Sequence, residues 1–309
     1  MSLEEKVFFV DKEIHSPSRN LAINSACVDA VRDGKYSLIS RVYKHLPGVI
    51  LGRQQSTSDV NIEYCEKLGY EIVKRESGGS AVVVSPESTL CYSVFLNSKR
   101  LGIEKGPHSL YKAIALPLAS NLGEKVFVEG IYYLRYKING SGVPFAGHAI
   151  KTYRGERKQE VNQFDGIVSL RAFDLSTISK LLKLRDLYHL NGERFIVIDG
   201  KRYHPNKEYS EEIDLSGAKH IKSEREELAK MVGLYEIGIR EESFINALRN
   251  SLKQRFGELE LVDKLPINYS VIGNLANYIK EKSKFEGGNL FGLGHCFVDF
   301  AEPEPLLIM

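Results

Sequence analysis

One short segment combines an arginine with two adjacent glycines at the entrance to an apolar run. It reads KRESGGSAVVVS over residues 74–85. A Gly-Gly step leaves backbone N–H groups uncovered, so a carboxylate, phosphate or carbonyl group can approach them closely. Arg75 could supply such a group with a permanent positive charge. The segment predicts either a ligand-holding loop or a sharp turn between strands, and it matches neither a P-loop nor a dinucleotide-binding fingerprint.

The elements around this segment are predicted to be strands joined by short turns. YEIVKRE, SAVVVS and LCYSVFL are rich in β-branched and aromatic residues, and SGG and PEST separate them. A helix is predicted over residues 107–123, and Pro117 should end or kink it near its middle. Strands and helices alternate without repeats, which predicts one mixed α/β domain over residues 1–286. Within it, residues 200–222 are expected to form a surface excursion, and residues 287–309 a C-terminal tail.

Composition excludes several classes of protein. Hydrophobic residues make up 43% and charged residues 27% of the 309 positions, as in ordinary globular proteins. The net charge of +2 argues against a dedicated nucleic-acid binder. No apolar run approaches ~20 residues and no signal peptide is evident, so we expect no membrane partner and a cytoplasmic location. Four cysteines without CxxC spacing predict buried thiols rather than a zinc site or a disulfide framework.

The glycine pair belongs to a longer block that resembles a known family. Residues 49–96 resemble the central block of the lipoate–protein ligase A family, in the biotin/lipoate ligase superfamily. The matching positions are Gly52, Arg53, Gln55, Asp59, Val60, Asn61, Arg75, Ser77, Gly78, Gly79, Ala81, Val82, Leu90, Tyr92 and Ser93. Downstream, Gly147 and Ala149 match a Lys-Ile-x-Gly-x-Ala strand of the family, and Gly166 matches the next strand. The resemblance extends over about residues 15–285.

The resemblance implies a fold, an activity and partners. The expected fold is α/β of the α+β type, with a mixed, largely antiparallel sheet flanked by helices. The expected activity attaches lipoyl or octanoyl groups to a lysine of lipoyl carrier domains. These carriers are the acyltransferase subunit of oxo-acid dehydrogenases and the glycine-cleavage carrier protein. ATP-dependent members use ATP and Mg²⁺ to form an acyl-adenylate from lipoate or octanoate. Some members depend on a separate accessory subunit, which we expect here as well.

In the family, the glycine-rich segment lines the acyl-adenylate pocket. The resemblance therefore implies an acyl- or adenylate-binding site, and small residues beside the apolar run leave room for an eight-carbon chain. The predicted site residues are Arg53, Arg75, Ser77, Gly78, Gly79, Ser80, Ala81, Gly147, His148 and Ala149. For His148 two interpretations stay open: a ligand contact or base, and a hydrogen-bonded structural histidine.

The sequence departs from the family at its charged positions. Pro144 stands where the family has the lysine that neutralises the acyl-phosphate, and Lys137 and Lys151 are the candidate substitutes. Tyr132 and Tyr133 occupy the Asn-Asp pair, and neither can replace a carboxylate as a magnesium ligand, so no metal site is predicted. Further departures are Ser80 for the third glycine, Val84 and Ser85 for a His-Asp pair, and Asp165 for a histidine.

No cysteine lies between residues 102 and 195, where the octanoyltransferase branch has its acyl-enzyme nucleophile. Cys91 falls in a predicted strand and is expected to be a buried core thiol. His295 and Cys296 are adjacent, so on a strand they would face opposite ways and not share a metal. Three hypotheses therefore stand: a lipoate ligase, a non-catalytic acyl- or carrier-binding relative, and an ATP-independent acyltransferase.

Overall fold

A computed structural model describes residues 5–130, 133–154, 160–190, 193–198, 201–203 and 219–285. Tyr132, the tail at 287–309 with His295 and Cys296, and residues 204–218 of the predicted excursion lie outside the described residues. Residues 201–203 and 219–222 of that excursion belong to strands.

The largest element is a sheet of eight strands. These are β1 (Glu5–His15), β2 (Tyr36–His45), β6 (Thr89–Leu96), β7 (Val126–Glu129), β8 (Tyr133–Ile138), β9 (Ser141–Arg154), β10 (Glu160–Ser169) and β15 (Glu260–Leu261). Their order is β15-β1-β2-β6-β10-β9-β8-β7. The β1–β2 and β1–β15 pairs are parallel, and the other pairs are antiparallel. The predicted mixed, largely antiparallel sheet is confirmed.

A three-stranded sheet carries the glycine pair. It contains β3 (Gly48–Leu51), β4 (Glu71–Lys74) and β5 (Val82–Val84), with β3 in the middle. Helix α2 (Ile62–Leu68) follows β3, so that β4 returns parallel to it, and Gly69 ends the helix at a φ of 70°. β5 pairs antiparallel to β3. The segment between β4 and β5 therefore reverses the chain, and it contains Gly78 and Gly79.

A four-stranded antiparallel sheet forms the third layer of strands. It contains β11 (Arg185–Leu190), β12 (Glu193–Ile198), β13 (Lys201–Tyr203) and β14 (Lys219–Ser223), in the order β13-β12-β11-β14.

Helices cover both faces of the large sheet. On one face lie α1 (Pro17–Arg32) and α7 (Ile272–Phe285), and on the other lie α3 (Pro107–Leu122) and α6 (Glu241–Phe256). Two short helices, α4 (Leu175–Leu181) and α5 (Glu224–Lys230), contact each other, and α5 also contacts β11 and β14. Strand β6 is buried along its whole length because its alternating side chains enter two cores. Val94 and Leu96 join a core with α3 and α6, whereas Phe95 joins a core with α1 and α7. Pro117 was predicted to end or kink the helix over residues 107–123; the first alternative was wrong, because α3 continues past Pro117 to Leu122.

No helix among the described residues is both long and apolar enough to cross a bilayer.

Candidate functional site

A cavity of about 680 Å³ is lined by residues of the large sheet, the three-stranded sheet and helix α1. This volume is within the range of small-molecule sites. Much of its wall is apolar, including Leu21, Ile50, Val82, Val83, Ile150 and Ile167. The chain from β4 to β5 contributes the glycine pair to the same wall.

The glycine pair is held against the end of β3 by close backbone packing. A Cβ at Gly52 would collide with the carbonyl oxygen of Gly79, so a side chain there has no room. The backbone N–H of Arg53 donates to the carbonyl of Ser77 at 3.0 Å. Gly79 has a φ of 93°, which favours glycine. The segment is thus both a strand turn and a wall of the cavity.

Arg75 shapes this loop with its own side chain. Its Nε and Nη2 donate to the carbonyl of Gly78 at 3.2 and 2.6 Å, and Nη2 also donates to that of Ser80 at 2.9 Å. Nη1 donates to the carbonyl of Ile50 at 3.2 Å. The guanidinium therefore satisfies loop carbonyls, and its charge reaches the cavity from a fixed position.

We expect the Gly52→Ala variant to lose about 1–3 kcal/mol of stability, because the added methyl group overlaps the Gly79 carbonyl and forces the loop apart. Thermal unfolding measures the loss. Gly78→Ala is the matched control in the same loop, because a Cβ at Gly78 meets nothing within 4 Å. Equal melting temperatures for the two variants would contradict this account of the packing.

A half-buried carboxylate, that of Asp165, lies in the wall facing this loop. Oδ2 of Asp165 accepts from the Ser77 hydroxyl at 3.0 Å, and Oδ1 accepts from the Ser93 hydroxyl at 2.7 Å. The amide nitrogen of Gln163 donates to both oxygens, at 2.8 and 2.9 Å. Burial raises the pKa of Asp165, and these hydrogen bonds together with the nearby charge of Arg75 oppose that rise.

His148 lies on β9 and forms a hydrogen-bonded pair. Its Nε2 is 2.6 Å from the Tyr92 hydroxyl, and its side chain is packed near the rings of Tyr111 and Phe164. Only 8% of His148 is exposed, although the residue contributes to the cavity wall. This geometry favours the structural interpretation of His148 over that of a base.

The structure brings the predicted site residues together. Nine of the ten line the cavity, and the tenth, Ser77, lies buried behind the loop with its hydroxyl on Asp165. The nine are Arg53, Arg75, Gly78, Gly79, Ser80, Ala81, Gly147, His148 and Ala149. Their role in binding stays a prediction.

The two substitute lysines are not among the residues that line the cavity. Lys137 is an exposed residue near the end of β8. Nζ of Lys151 lies 3.8 Å from the Glu76 carboxylate and 5.5 Å from the centre of the Tyr153 ring. Tyr133, at one position of the family's Asn-Asp pair, does line the cavity and pairs with Gly147 across β8 and β9.

Three basic residues of the wall were missed by the sequence reasoning. Arg135 of β8 pairs directly with Pro144 of β9, and both line the cavity. Directly paired residues on neighbouring strands project from the same face of a sheet, so Arg135 lies beside the position of the family lysine. Lys183 and Lys230 also line the cavity, from positions after α4 and at the end of α5. Only the strand register and the fold reveal these positions.

The cavity lining is biased towards positive charge. It contains five basic side chains, Arg53, Arg75, Arg135, Lys183 and Lys230, against the carboxylates of Asp59 and Asp165. Burial lowers the pKa of His45 to about 3, so its ring is neutral at neutral pH and does not change this balance. A ligand with an anionic group is therefore favoured.

The described residues contain no group of three or more His, Cys, Asp or Glu side chains placed to bind a metal ion. The carboxylate of Asp59 accepts hydrogen bonds from the Ser56 backbone and the Gln55 amide, so it stabilises its own turn.

Comparisons with known proteins agree with this geometry. The family described as the lipoyl protein ligase A/B catalytic domain matches residues 16–188. An octanoyl-[GcvH]:protein N-octanoyltransferase from Geobacillus kaustophilus is 30% identical over 145 residues, which cover 44% of this chain and 51% of that protein. The chain therefore matches only part of the length of its curated relatives, 36% of one octanoyltransferase and 51% of the Geobacillus protein.

Solved structures share the fold at low sequence identity. The bi-partite lipoate protein ligase of Thermoplasma acidophilum has a TM-score of 0.59 and 16% identity, and the match covers 94% of this chain and 97% of that one. A lipoate-protein ligase A bound with ATP has a TM-score of 0.58 and 15% identity, with 94% and 99% coverage. Because the family match covers more than half of the sequence, the chain belongs to the lipoyl protein ligase A/B catalytic domain family.

Proposed function

We propose that this protein transfers an octanoyl or lipoyl group to a lysine of a lipoyl carrier domain. The observation that carries the proposal is the cavity behind the glycine pair, which joins an apolar wall to a surplus of basic side chains. An acyl chain requires the apolar wall, and its activated head group requires the basic side chains. The match to octanoyltransferases and lipoate ligases supports the same chemistry.

The apolar part of the wall suits an eight-carbon chain. Leu21, Ile50 and Val82 come from α1, β3 and β5, so they approach the ligand from different elements. Burying a saturated chain gains about 0.8 kcal/mol per methylene group, which favours octanoate or lipoate over short acids. The small residues Gly78 and Ala81 leave room beside it.

The basic part of the wall suits the charged end of an activated acyl group. An ion pair with Glu129 holds the Arg135 guanidinium, and its Nη1 also donates a hydrogen bond to the Gly142 carbonyl at 2.9 Å. A positioned cation of this kind can stabilise negative charge that develops on a leaving phosphate. We infer that ATP is the source of this phosphate. Mg²⁺ usually binds through nucleotide phosphates and one or two carboxylates, so we infer that any Mg²⁺ would arrive with the nucleotide.

A cysteine acyl-enzyme is disfavoured among the described residues. Cys91 lines the cavity, but burial raises the pKa of its thiol and the nearby Asp165 carboxylate raises it further. A thiol that stays protonated is a poor nucleophile. We therefore infer that the carrier lysine attacks the activated acyl group directly.

The proposed partners follow from the acceptor. They are lipoyl carrier domains of an oxo-acid dehydrogenase acyltransferase subunit or of the glycine-cleavage carrier protein. A separate accessory subunit is proposed as well, and a solved neighbour of this fold is described as bi-partite. We infer a cytoplasmic location, with which the buried free thiols of Cys27, Cys65 and Cys91 are consistent.

A second candidate function is binding of an acyl group or carrier without transfer. The replacement of the family lysine by Pro144 and the presence of Tyr133 in the same cavity favour it. It differs from the first candidate in one respect, namely whether the acyl group reaches a lysine.

Intact-mass measurement of a carrier domain separates the candidates. The protein is incubated with the domain and either octanoate, ATP and Mg²⁺ or an octanoyl-loaded carrier. Acylation only with ATP supports the ligase, and acylation from the loaded carrier alone supports the ATP-independent transferase. Octanoate binding without acylation from either donor supports the second candidate and overturns the first.

A further inference from the structure

Asp165 is a carboxylate that the proposed reaction has not yet used. It lies on β10 opposite Ala149 of β9, in the wall of the cavity and close to the glycine loop. All of its side-chain hydrogen bonds come from the neutral groups of Ser77, Ser93 and Gln163. Within the described part of the chain, no lysine or arginine forms an ion pair with it.

This carboxylate is one of two acidic groups in a cavity whose other charged lining residues are basic. Arg53, Arg135 and Lys183 favour the anionic end of an acyl donor, whereas Asp165 repels an anion and attracts a cation. A buried carboxylate is costly unless it is compensated. Hydrogen bonds from neutral groups offset part of the cost of desolvating the Asp165 carboxylate, and a cationic ligand group would offset more of it. The reaction proposed above brings one such group, the ammonium of the acceptor lysine.

We propose that Asp165 receives the ammonium group of the incoming carrier lysine and accepts one proton from it, which frees the amine to attack the acyl carbonyl. The assignment rests on the proposed function. The amine lone pair forms the new N–C bond, and the bond from the carbonyl carbon to the donor's leaving group breaks, with its electron pair leaving on that group. One ammonium proton passes to an Asp165 oxygen, and the nitrogen's second proton is released to solvent after the attack.

The surroundings of Asp165 suit a base. Burial raises its pKa, while Arg75 and the three hydrogen-bond donors limit the rise. The titratable groups whose charge would act on it, Tyr43, Cys91, Tyr92 and Tyr153, have pKa values raised by burial and stay neutral near pH 7. Because the base must be ionised, the rate should fall as the pH drops through the Asp165 pKa, which burial raises.

The test compares two acceptors that differ in charge. Octanoyl-adenylate is the donor, and the acceptors at pH 7.5 are a lipoyl carrier domain, whose lysine is an ammonium, and hydroxylamine, which is neutral. We expect Asp165→Asn to lower kcat for the carrier lysine by about 100-fold. Hydroxylamine acylation should stay within about threefold of the wild type, because it needs no ammonium site. The acid limb of the pH–rate profile should also disappear.

Two controls keep the result specific. Asp263→Asn removes an exposed carboxylate that is not among the cavity-lining residues, and it should leave both acceptors unaffected. The octanoate-induced rise in melting temperature reports whether Asp165→Asn keeps its acyl site. Equal losses for both acceptors would assign Asp165 a purely structural role through Ser77, and no loss would remove it from the reaction. Wild-type protein that acylates neither acceptor would overturn the proposed function itself.

Discussion

The Arg135→Met variant is expected to lower octanoyl transfer to a carrier lysine by about 100-fold. Arg135 projects from the same face of the sheet as Pro144, its direct partner on β9, and both line the cavity. Its ion pair with Glu129 and its hydrogen bond to Gly142 hold the guanidinium in place before the donor arrives. Methionine keeps much of the side-chain volume and removes the charge. Steady-state kinetics with octanoyl-adenylate measure the change.

The same strand provides the matched control for this variant. Lys137→Met removes a positive charge two residues away on β8, but Lys137 is not part of the cavity lining, so its rate should stay near the wild-type value. Adding Pro144→Lys to Arg135→Met should restore part of the rate, because it returns a cation to the same face of the sheet. A wild-type rate in Arg135→Met would exclude Arg135 as the charge that serves the acyl donor.

Gly166→Ala is expected to cost about 3 kcal/mol of stability, at the upper end for overpacked sites. A Cβ at Gly166 would overlap the ring of Tyr92, which is fully buried and holds the hydroxyl bonded to His148. The close-packed core between β6, β10 and α3 leaves the ring little room to move. Chemical denaturation followed by circular dichroism measures the loss.

Two further variants test the cause of that loss. Gly273→Ala lies in α7, where a Cβ meets nothing within 4 Å, and helix propensity predicts an unchanged or slightly higher stability. Combining Gly166→Ala with Tyr92→Leu should cost less than the sum of the single changes, since the smaller side chain leaves room for the methyl group. Additive costs would show that the Tyr92 ring is not the obstacle.

The glycine loop shows which features of the site can be predicted from the sequence. Its neighbouring strands and its position in a cavity wall were predictable from short-range pattern and family resemblance, but its close packing against Gly52 was not. The contacts of the Arg75 side chain were not predictable. Whether its guanidinium meets a ligand or the carbonyls of Gly78 and Ser80 depends on how the loop closes, and sequence spacing carries no signal for that.

Long-range pairing limits the prediction of the charged residues. Lys137 was chosen because it begins KINGSG, which resembles the family's lysine motif, and Lys151 because it is nearby in sequence. The strand partner of Pro144 is instead Arg135. A register shift between Leu134 and Arg135 sets this pairing, and no local pattern encodes it.

Tertiary packing also explains the helix that was misjudged. Pro117 removes one backbone donor from α3, but the helix buries Ile114, Leu118 and Ala119 in the core shared with α6, and this packing outweighs the local cost.

The central claim is that the cavity behind the glycine pair holds the acyl group that reaches a carrier lysine. The most direct test is the intact mass of a lipoyl carrier domain after incubation with wild-type protein or with Ala81→Trp, which places a large side chain in the cavity wall. We predict one octanoyl group per domain with the wild type and none with the variant, whose melting temperature should stay close to that of the wild type. Equal acylation by both proteins, or none by the wild type with either donor, would contradict the claim.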